Sequence, residues 1–153
     1  MKKEKQSRPL QVIGTSDVID IPDFGLENVR VKIDTGAHTS AMHCSRIKLV
    51  IENNIQYITF NIPGSGIYGN GKKKYRCSEF IIKNIKSSTG HMESRFVIAS
   101  TVVIFGRKIK TFFSLTDRST MKFPILLGSR FLRNKFIVDV SKKNLSYNLK
   151  TGL

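Results

Sequence analysis

The sequence has no tryptophan, no long apolar run and only two cysteines, Cys44 and Cys77. Two cysteines cannot make the disulfide framework of a small secreted domain, so we expect reduced thiols and a cytoplasmic location. No stretch approaches the ~18 consecutive apolar residues of a membrane-spanning helix, and we expect no membrane partner. The charged start, MKKEKQSRPLQ, is not followed by the apolar run of a secretory signal.

Negative charge is scarce. The chain has 26 Lys and Arg residues against 11 Asp and Glu residues, which leaves a net charge of +15. This excess favours acidic partners such as nucleic acid, an anionic membrane surface or acidic peptides, and it also fits a basic solubilising surface. No zinc finger, helix-turn-helix pattern or RNP-type aromatic box accompanies the densest basic runs, 1–5 and 72–76. Nucleic acid is therefore not the expected partner, despite the charge.

Helical patterns are scarce too, and short β-rich runs separated by turn residues dominate. The predicted strands are 11–13, 18–21, 29–33, 47–50, 57–62, 75–82, 95–101, 102–105, 108–115, 125–127, 136–138 and 145–147. Strands of this length and spacing indicate an all-β barrel or sandwich. One short helix is predicted near 129–135 and a second helical turn at 40–45.

The length of 153 residues suits one domain. Hydrophobic residues make up 40% of the chain, which is enough for a real core. We predict a single domain over residues 11–150, preceded by a flexible tail over residues 1–10.

A lone carboxylate stands at the end of one predicted strand. Asp34 follows the strand-like run 31–33, and small residues, Thr35, Gly36 and Ala37, come directly after it. Such a sequence can be an ordinary Asx turn. It can also present a carboxylate in a site where Gly36 lets another backbone approach closely.

A second motif covers residues 123–132, where an apolar strand ends in Leu127-Gly128 and a short helix follows. Glycine at this point lets the strand pass under a neighbouring loop without a side-chain clash. In this order, the two motifs resemble the lobe of an aspartic protease of the single-lobed, retropepsin-like kind.

A closer resemblance runs from about residue 11 to residue 140. It is to a bacterial family labelled ATP-dependent zinc protease, which is associated with ATP-grasp glutamate ligases. The positions that carry it are Ile13-Gly14, Ile21-Pro22, 32–37, Thr39-Ser40-Ala41, His43, Ser88-Thr89-Gly90, Glu93, Arg95, 115–119, Met121, Pro124 and Leu126-Leu127-Gly128. The sequence departs from the family pattern at Asp17, His38 and Ser129, all outside the Asp-Thr-Gly core.

The resemblance implies a mostly-β fold, a closed six-stranded acid-protease barrel, with Asp34 as the catalytic residue of an aspartic peptidase. That chemistry activates water between two carboxyl groups that share one proton. None of the other aspartates is followed by Thr-Gly or Ser-Gly, so one chain supplies half of the pair. We therefore expect a symmetric homodimer in which two Asp34 residues meet.

The remaining expected site residues fall into three groups. Those of the active-site loop are Thr35, Gly36, Ala37, Thr39 and Ser40. A hairpin flap is expected over the substrate, and its tip is predicted at Ser87, Ser88, Thr89 and Gly90, with the glycine-rich loop 64–71 as the alternative. Supporting residues are expected at Asp117, Arg118, Leu127, Gly128 and Arg130.

No metal and no other cofactor is expected. The candidate ligands His38, His43, Cys44, Cys77 and His91 form no HExxH or CxxC pair. The loop 64–71 lacks the Lys-Ser or Lys-Thr ending of a phosphate-binding loop, so ATP binding is not expected. The expected substrate is a peptide or protein, with acidic peptides favoured by the charge. The alternatives are a non-catalytic peptide- or protein-binding domain on the same fold and a zinc-dependent peptidase.

Overall fold

The structure, a computed structural model, describes residues 8–62, 73–86, 89–117 and 122–153. Residues 1–7 of the predicted tail lie outside these ranges. The strands are β1 (Gln11–Ile13), β2 (Ser16–Ile21), β3 (Leu26–Ile33), β4 (Ser40–His43), β5 (Ser45–Glu52), β6 (Ile55–Ile62), β7 (Lys73–Cys77), β8 (Ile81–Lys86), β9 (Met92–Ile104), β10 (Arg107–Thr116), β11 (Ile125–Leu127) and β12 (Phe136–Val138). The helices are a 3-10 turn (Pro22–Phe24), α1 (Ser129–Leu132) and α2 (Leu145–Thr151).

Six strands close into a barrel. Their order is β10-β4-β11-β3-β2-β9, and antiparallel pairing of β9 with β10 completes the circle. The strand β8 extends the sheet from β9. Along β3, the buried residues Val29, Val31 and Ile33 alternate with exposed Arg30 and Lys32, as a strand with one face on a core requires. The predicted closed six-stranded barrel is confirmed.

The two central strands bring the sequence motifs together. The short strand β11 pairs in parallel with β3, with Leu127 opposite Ile33, and antiparallel with β4. Because parallel strands end at the same edge, the residues that follow, Asp34 and Gly128, come out of the sheet side by side.

A second sheet, in the order β5-β6-β7, packs on the barrel through aromatic contacts. The ring centroids of Phe24 and Tyr75 lie 4.9 Å apart, and those of Phe24 and Phe60 lie 6.0 Å apart. The predicted strand 75–82 is therefore wrong as one element: it breaks into β7 and β8, which belong to different sheets. Conversely, the predicted strands 95–101 and 102–105 form the single strand β9.

Two other local predictions are wrong. The predicted helical turn at 40–45 is β4, because Ser40–His43 pair with both β10 and β11. The predicted strand 145–147 is the start of α2. There the buried Asp17 carboxylate accepts hydrogen bonds from the backbone N–H groups of Ser146 (2.9 Å) and Tyr147 (3.1 Å). It satisfies two donors at the start of that helix. The helix predicted near 129–135 is present as α1, although it ends at Leu132.

Candidate active site

Asp34 stands at the end of β3, in a turn that leaves its side chain partly exposed. Its backbone N–H donates to the carbonyl of Leu127 (2.9 Å), and its own carbonyl accepts from the N–H of Ala37 (3.2 Å). The N–H of Gly36 donates to Asp34 Oδ1 (3.1 Å). This last bond is that of an Asx turn, and it also fixes one carboxylate oxygen toward the loop.

The loop from Asp34 to Ser40 is held down along its length by the start of α1. The N–H groups of Ser129 and Arg130 donate to the carbonyls of Ala37 (2.7 Å) and His38 (3.1 Å). The N–H of Gly128 donates to the buried Ser40 Oγ (3.0 Å). The loop that carries the carboxylate is therefore fixed by backbone hydrogen bonds from one neighbouring segment.

Gly128 is required by the closeness of this contact. A Cβ atom built there would lie 2.7 Å from the carbonyl oxygen of Ala37 and 3.0 Å from that of His38. Side-chain carbons essentially never approach backbone atoms within 3.0 Å. The geometry thus agrees with the expectation that glycine lets the strand pass under the active-site loop.

Asp34 lines a cleft of about 650 Å³. One wall is the active-site loop, and the opposite wall is the hairpin of β8 and β9. The lining residues are Asp34, Gly36, Ala37, His38, Thr39, Ala41, Lys83, Asn84, Ile85, Lys86, Arg95, Ser114 and Leu126. A cleft with a loop on one side and a hairpin on the other can hold an extended chain.

The hairpin that faces Asp34 is the one expected to act as the flap. Its arms pair from Ile81 opposite Val97 to Lys86 opposite Met92, which places Thr89 and Gly90 at the tip. Ser87 and Ser88, also expected there, lie outside the described residues. So does the alternative loop 64–71, and its flanking strands β6 and β7 contribute no described residue to the cleft.

The cleft is positively charged. Lys83, Lys86 and Arg95 line it, and Asp34 is the one acidic residue among the described lining residues. Lys83 Nζ donates to Thr39 Oγ1 (3.3 Å), and this hydrogen bond joins the strand β8 to the loop that carries Asp34. The side chain of Arg95 is only 9% exposed, and its Nη2 lies 2.9 Å from Glu93 Oε2.

Sequence reasoning did not single out Lys83 and Lys86, and it named Arg95 only as a family position. These residues could have been predicted from their positions in the two strands of the expected flap hairpin. Lys83 and Arg95 lie directly opposite each other in the ladder, so they share one face of the hairpin.

Several predicted residues lie outside the cleft. Thr35 is exposed beside it. The guanidinium of Arg130 lies 4.3 Å from the ring centroid of Phe112. Asp117 follows β10 close to the buried Cys44, and burial, together with the charge of Asp117, raises the pKa of the Cys44 thiol. Arg118 lies outside the described residues.

The candidate metal ligands are scattered. Cys44 is buried, and the Cys77 thiol donates to the carbonyl of Glu79 (3.1 Å). In the part of the chain that the structure describes, no three His, Cys, Asp or Glu side chains are grouped so that they could hold a metal ion. None of the helices there is long and apolar enough to cross a membrane.

The sequence also matches a protein-family model described as the retropepsin-like aspartic endopeptidase RimB, over residues 12–148. The chain belongs to the RimB-like family. The resemblance to bacterial retropepsin-like proteases is thereby confirmed.

Curated relatives carry a different name. The chain is 32% identical over 133 residues to a "Probable alpha-L-glutamate ligase" of Shewanella halifaxensis, and 26% identical over 131 residues to a protein of the same name from Desulfotalea psychrophila. These matches cover 86% and 84% of this chain but only 29% and 28% of the relatives. The chain thus spans less than a third of their length.

A solved structure shares the fold. A protein of unknown function from Legionella pneumophila superposes with a TM-score of 0.71 at 20% identity, covering 89% of this chain and 98% of the Legionella chain.

Gly128→Ala is expected to destabilise the protein, because the added methyl group would push on backbone atoms of the active-site loop. Overpacking of this kind costs about 1–3 kcal/mol in the free energy of unfolding. Urea unfolding measures it. The control is Gly36→Ala in the same loop, where φ is not left-handed and an added Cβ would lie 3.4 Å from the nearest atom, Asp34 Oδ1, in ordinary van der Waals contact. Equal losses in the two variants would contradict the steric argument.

Proposed function

We propose that the protein is a homodimeric aspartic peptidase, which hydrolyses peptide bonds with water activated between two Asp34 carboxyl groups. The observation that carries the proposal is the position of Asp34, alone among acidic residues in the described part of the cleft, on a loop held by α1 and facing a hairpin. The family description, an aspartic endopeptidase, supports the same chemistry.

In the proposed mechanism, one carboxylate of the pair takes a proton from water while the other carboxyl group donates a proton to the peptide carbonyl oxygen. The N–H of Gly36 holds Asp34 Oδ1, which orients the carboxylate and leaves Oδ2 for the water and the partner. The peptide lies as an added strand between the active-site loop and β8. The hairpin of β8 and β9 then closes over it and excludes water.

The dimer is proposed because each chain offers one Asp-Thr-Gly, and two features support it. Thr35 and Gly36, at the tip of the loop, are exposed in the single chain. The small sheet of β1 and β12 also exposes Val12 and Ile137, at 39% and 52%, directly opposite each other in register. Burial of such an apolar pair against a second copy is favourable.

This small sheet is close to the catalytic loop. β1 leads through Gly14 to Thr15, whose carbonyl accepts a hydrogen bond from the N–H of Ile33 (2.9 Å), the residue before Asp34. An interface built on β1 and β12 would therefore lie within reach of the two loops that must meet.

Acidic peptides are the proposed substrates. Lys83 and Lys86 stand on the flap strand without an ion pair to any described residue, and Arg95 is held in a fixed direction by Glu93. An arginine fork and lysine point charges are the groups that recognise carboxylates. The name of the relatives, glutamate ligase, suggests glutamate as the acidic residue.

A non-catalytic peptide- or protein-binding domain is the second candidate. It is favoured by the relatives, in which the matching segment is under a third of a longer chain named as a ligase. The Asx-turn bond of Asp34 also fits a purely structural aspartate. A zinc-dependent peptidase is the third, and activity that is lost with a chelator would identify it.

Asp34→Asn is expected to abolish peptide cleavage while the protein stays folded, because asparagine keeps the turn but cannot act as the base. Cleavage by the wild type should be bell-shaped in pH, since one carboxyl group of the pair must be ionised and the other protonated. Peptide cleavage is measured across pH with and without EDTA, with circular dichroism as the folding test. Asp139→Asn, outside the cleft, is the matched control. A folded Asp34→Asn that cleaves as fast as wild type would favour the binding domain.

Ile137→Asp is expected to dissociate the dimer and remove activity together, since a charge would be buried at the proposed interface. Sedimentation velocity at micromolar concentration, run beside the cleavage assay, measures both. Ile51→Asp, at an apolar position on β5 that is 66% exposed against 52% for Ile137, is the control. A wild-type monomer that cleaves by an Asp34-dependent route would disprove the two-chain pair.

Lys83→Glu is expected to lower kcat/KM for an acidic peptide by about tenfold or more, because an attraction in the cleft becomes a repulsion. Cleavage of a neutral peptide should change much less. Lys48→Glu on β5 makes the same charge change away from the cleft. If both peptides lose equally, Lys83 positions the loop through Thr39 and does not select the charge of the substrate.

A further inference from the structure

A second, smaller pocket adjoins the active-site loop. Its volume is about 160 Å³, and its lining residues are Ser40, Lys110, Thr111, Phe112, Arg130, Phe131 and Lys135. Ser40 faces this pocket, whereas its sequence neighbours Thr39 and Ala41 line the large cleft. Successive side chains of a strand point to opposite faces, so β4 separates the two pockets.

The small pocket concentrates positive charge. Lys110, Arg130 and Lys135 come from β10, from α1 and from the turn before β12, and no acidic residue lies among the described lining residues. Within the described ranges, the ion pairs join Arg76 to Glu52, Arg95 to Glu93 and Lys150 to Asp20, so none of them neutralises these three cations. Glu4 is the one acidic residue of the sequence outside those ranges.

The aromatic ring of Phe112 contacts two of the cations. The guanidinium of Arg130 lies 4.3 Å from its centroid, and Lys110 Nζ lies 5.7 Å from the same point. Cation–π contacts orient such groups. Both cations also line the same pocket, so an anion bound in it would be attracted to each of them.

We propose that this pocket is a binding site for a doubly charged tetrahedral oxyanion of the phosphate class. Arg130 supplies a planar fork of donors, and Lys110 and Lys135 supply two point charges from other directions, which suits a compact anion with several oxygens. A volume of about 160 Å³ fits one such group rather than a whole nucleotide. The site is independent of whether Asp34 is catalytic.

The pocket also touches the segments that hold the catalytic loop. The backbone N–H of Arg130 donates to the carbonyl of His38, and Ser40 Oγ accepts from the N–H of Gly128. An oxyanion bound to the Arg130 side chain should therefore change the environment of both hydrogen bonds. The amide resonances of Arg130 and Gly128, whose N–H groups donate these hydrogen bonds, are the expected reporters.

The test uses inorganic phosphate as the probe, at constant ionic strength and pH, followed by thermal unfolding and by amide NMR shifts. The wild type should be stabilised along a saturating curve, as binding to the folded state alone predicts. Lys110→Gln and Lys135→Gln should each weaken the apparent affinity by about fivefold or more, since each removes one of the converging charges. Lys108→Gln, on the same strand but outside the pocket, should leave the affinity unchanged.

Two further binding measurements identify the source of the oxyanion and test whether the site selects phosphate over carboxylates. A phosphoserine peptide that binds more tightly than phosphate, with the same dependence on Lys135, identifies a phosphorylated partner, while binding of free phosphate alone identifies the ion. Both outcomes support the site. Acetate or glutamate binding as tightly as phosphate would overturn the phosphate class. No saturable effect, or equal losses in Lys108→Gln and Lys135→Gln, would overturn the site itself.

Discussion

The contact between Gly128 and the loop from Asp34 to Ser40 is the constraint on which the rest of the site depends. The strand β11 lies between β3 and β4, so its end must pass under the chain that links those two strands. Only a residue without a side chain fits there, since a Cβ would lie 2.7 Å from the carbonyl oxygen of Ala37. The close approach in turn permits the hydrogen bonds from Gly128, Ser129 and Arg130 that fix the loop. The barrel thus places the carboxylate through backbone geometry.

The parts of this arrangement that depend on local pattern could be predicted from the sequence. The small residues after Asp34 and the apolar end of β11 each carry their signal within a few residues. The pattern of short strands predicted a barrel or a sandwich, and the family resemblance carried by these motifs implied the closed barrel and the active-site loop. The start of α2 could not be found in this way, because the carboxylate that satisfies its N–H groups, Asp17, lies 129 residues before Ser146. Likewise, the sequence of β4 alone predicts a helical turn, and only its pairing with β10 and β11 identifies it as a strand. The positive charge of the cleft could not be predicted without the register of β8 against β9, because that register brings Lys83 and Arg95 to one face of the hairpin.

Under the proposed function, the catalytic carboxylate and the cations that select the substrate belong to different structural elements. The carboxylate belongs to the loop between β3 and β4, whereas the cations belong to the hairpin of β8 and β9. A hydrogen bond from Lys83 to Thr39 joins the two elements directly. The two cation types also act differently. Arg95 is nearly buried and directed by Glu93, so it can set the direction of an incoming carboxylate, while Lys83 and Lys86 supply charge on flexible stems. The hairpin can therefore vary in charge while the loop keeps its geometry.

The relatives show the same structural unit in two settings. It corresponds to 29% of a longer chain named as a ligase in Shewanella, and to 98% of a solved chain from Legionella. The barrel closes on itself through β9 and β10, and the hydrogen bonds that hold the Asp34 loop come from within the unit. The loop geometry therefore needs no other part of the longer chains. A single copy nevertheless offers one acidic residue in the described part of its cleft. If the site is an aspartic peptidase, its second carboxylate must come from another chain, and a second copy brings the same loop with the same geometry.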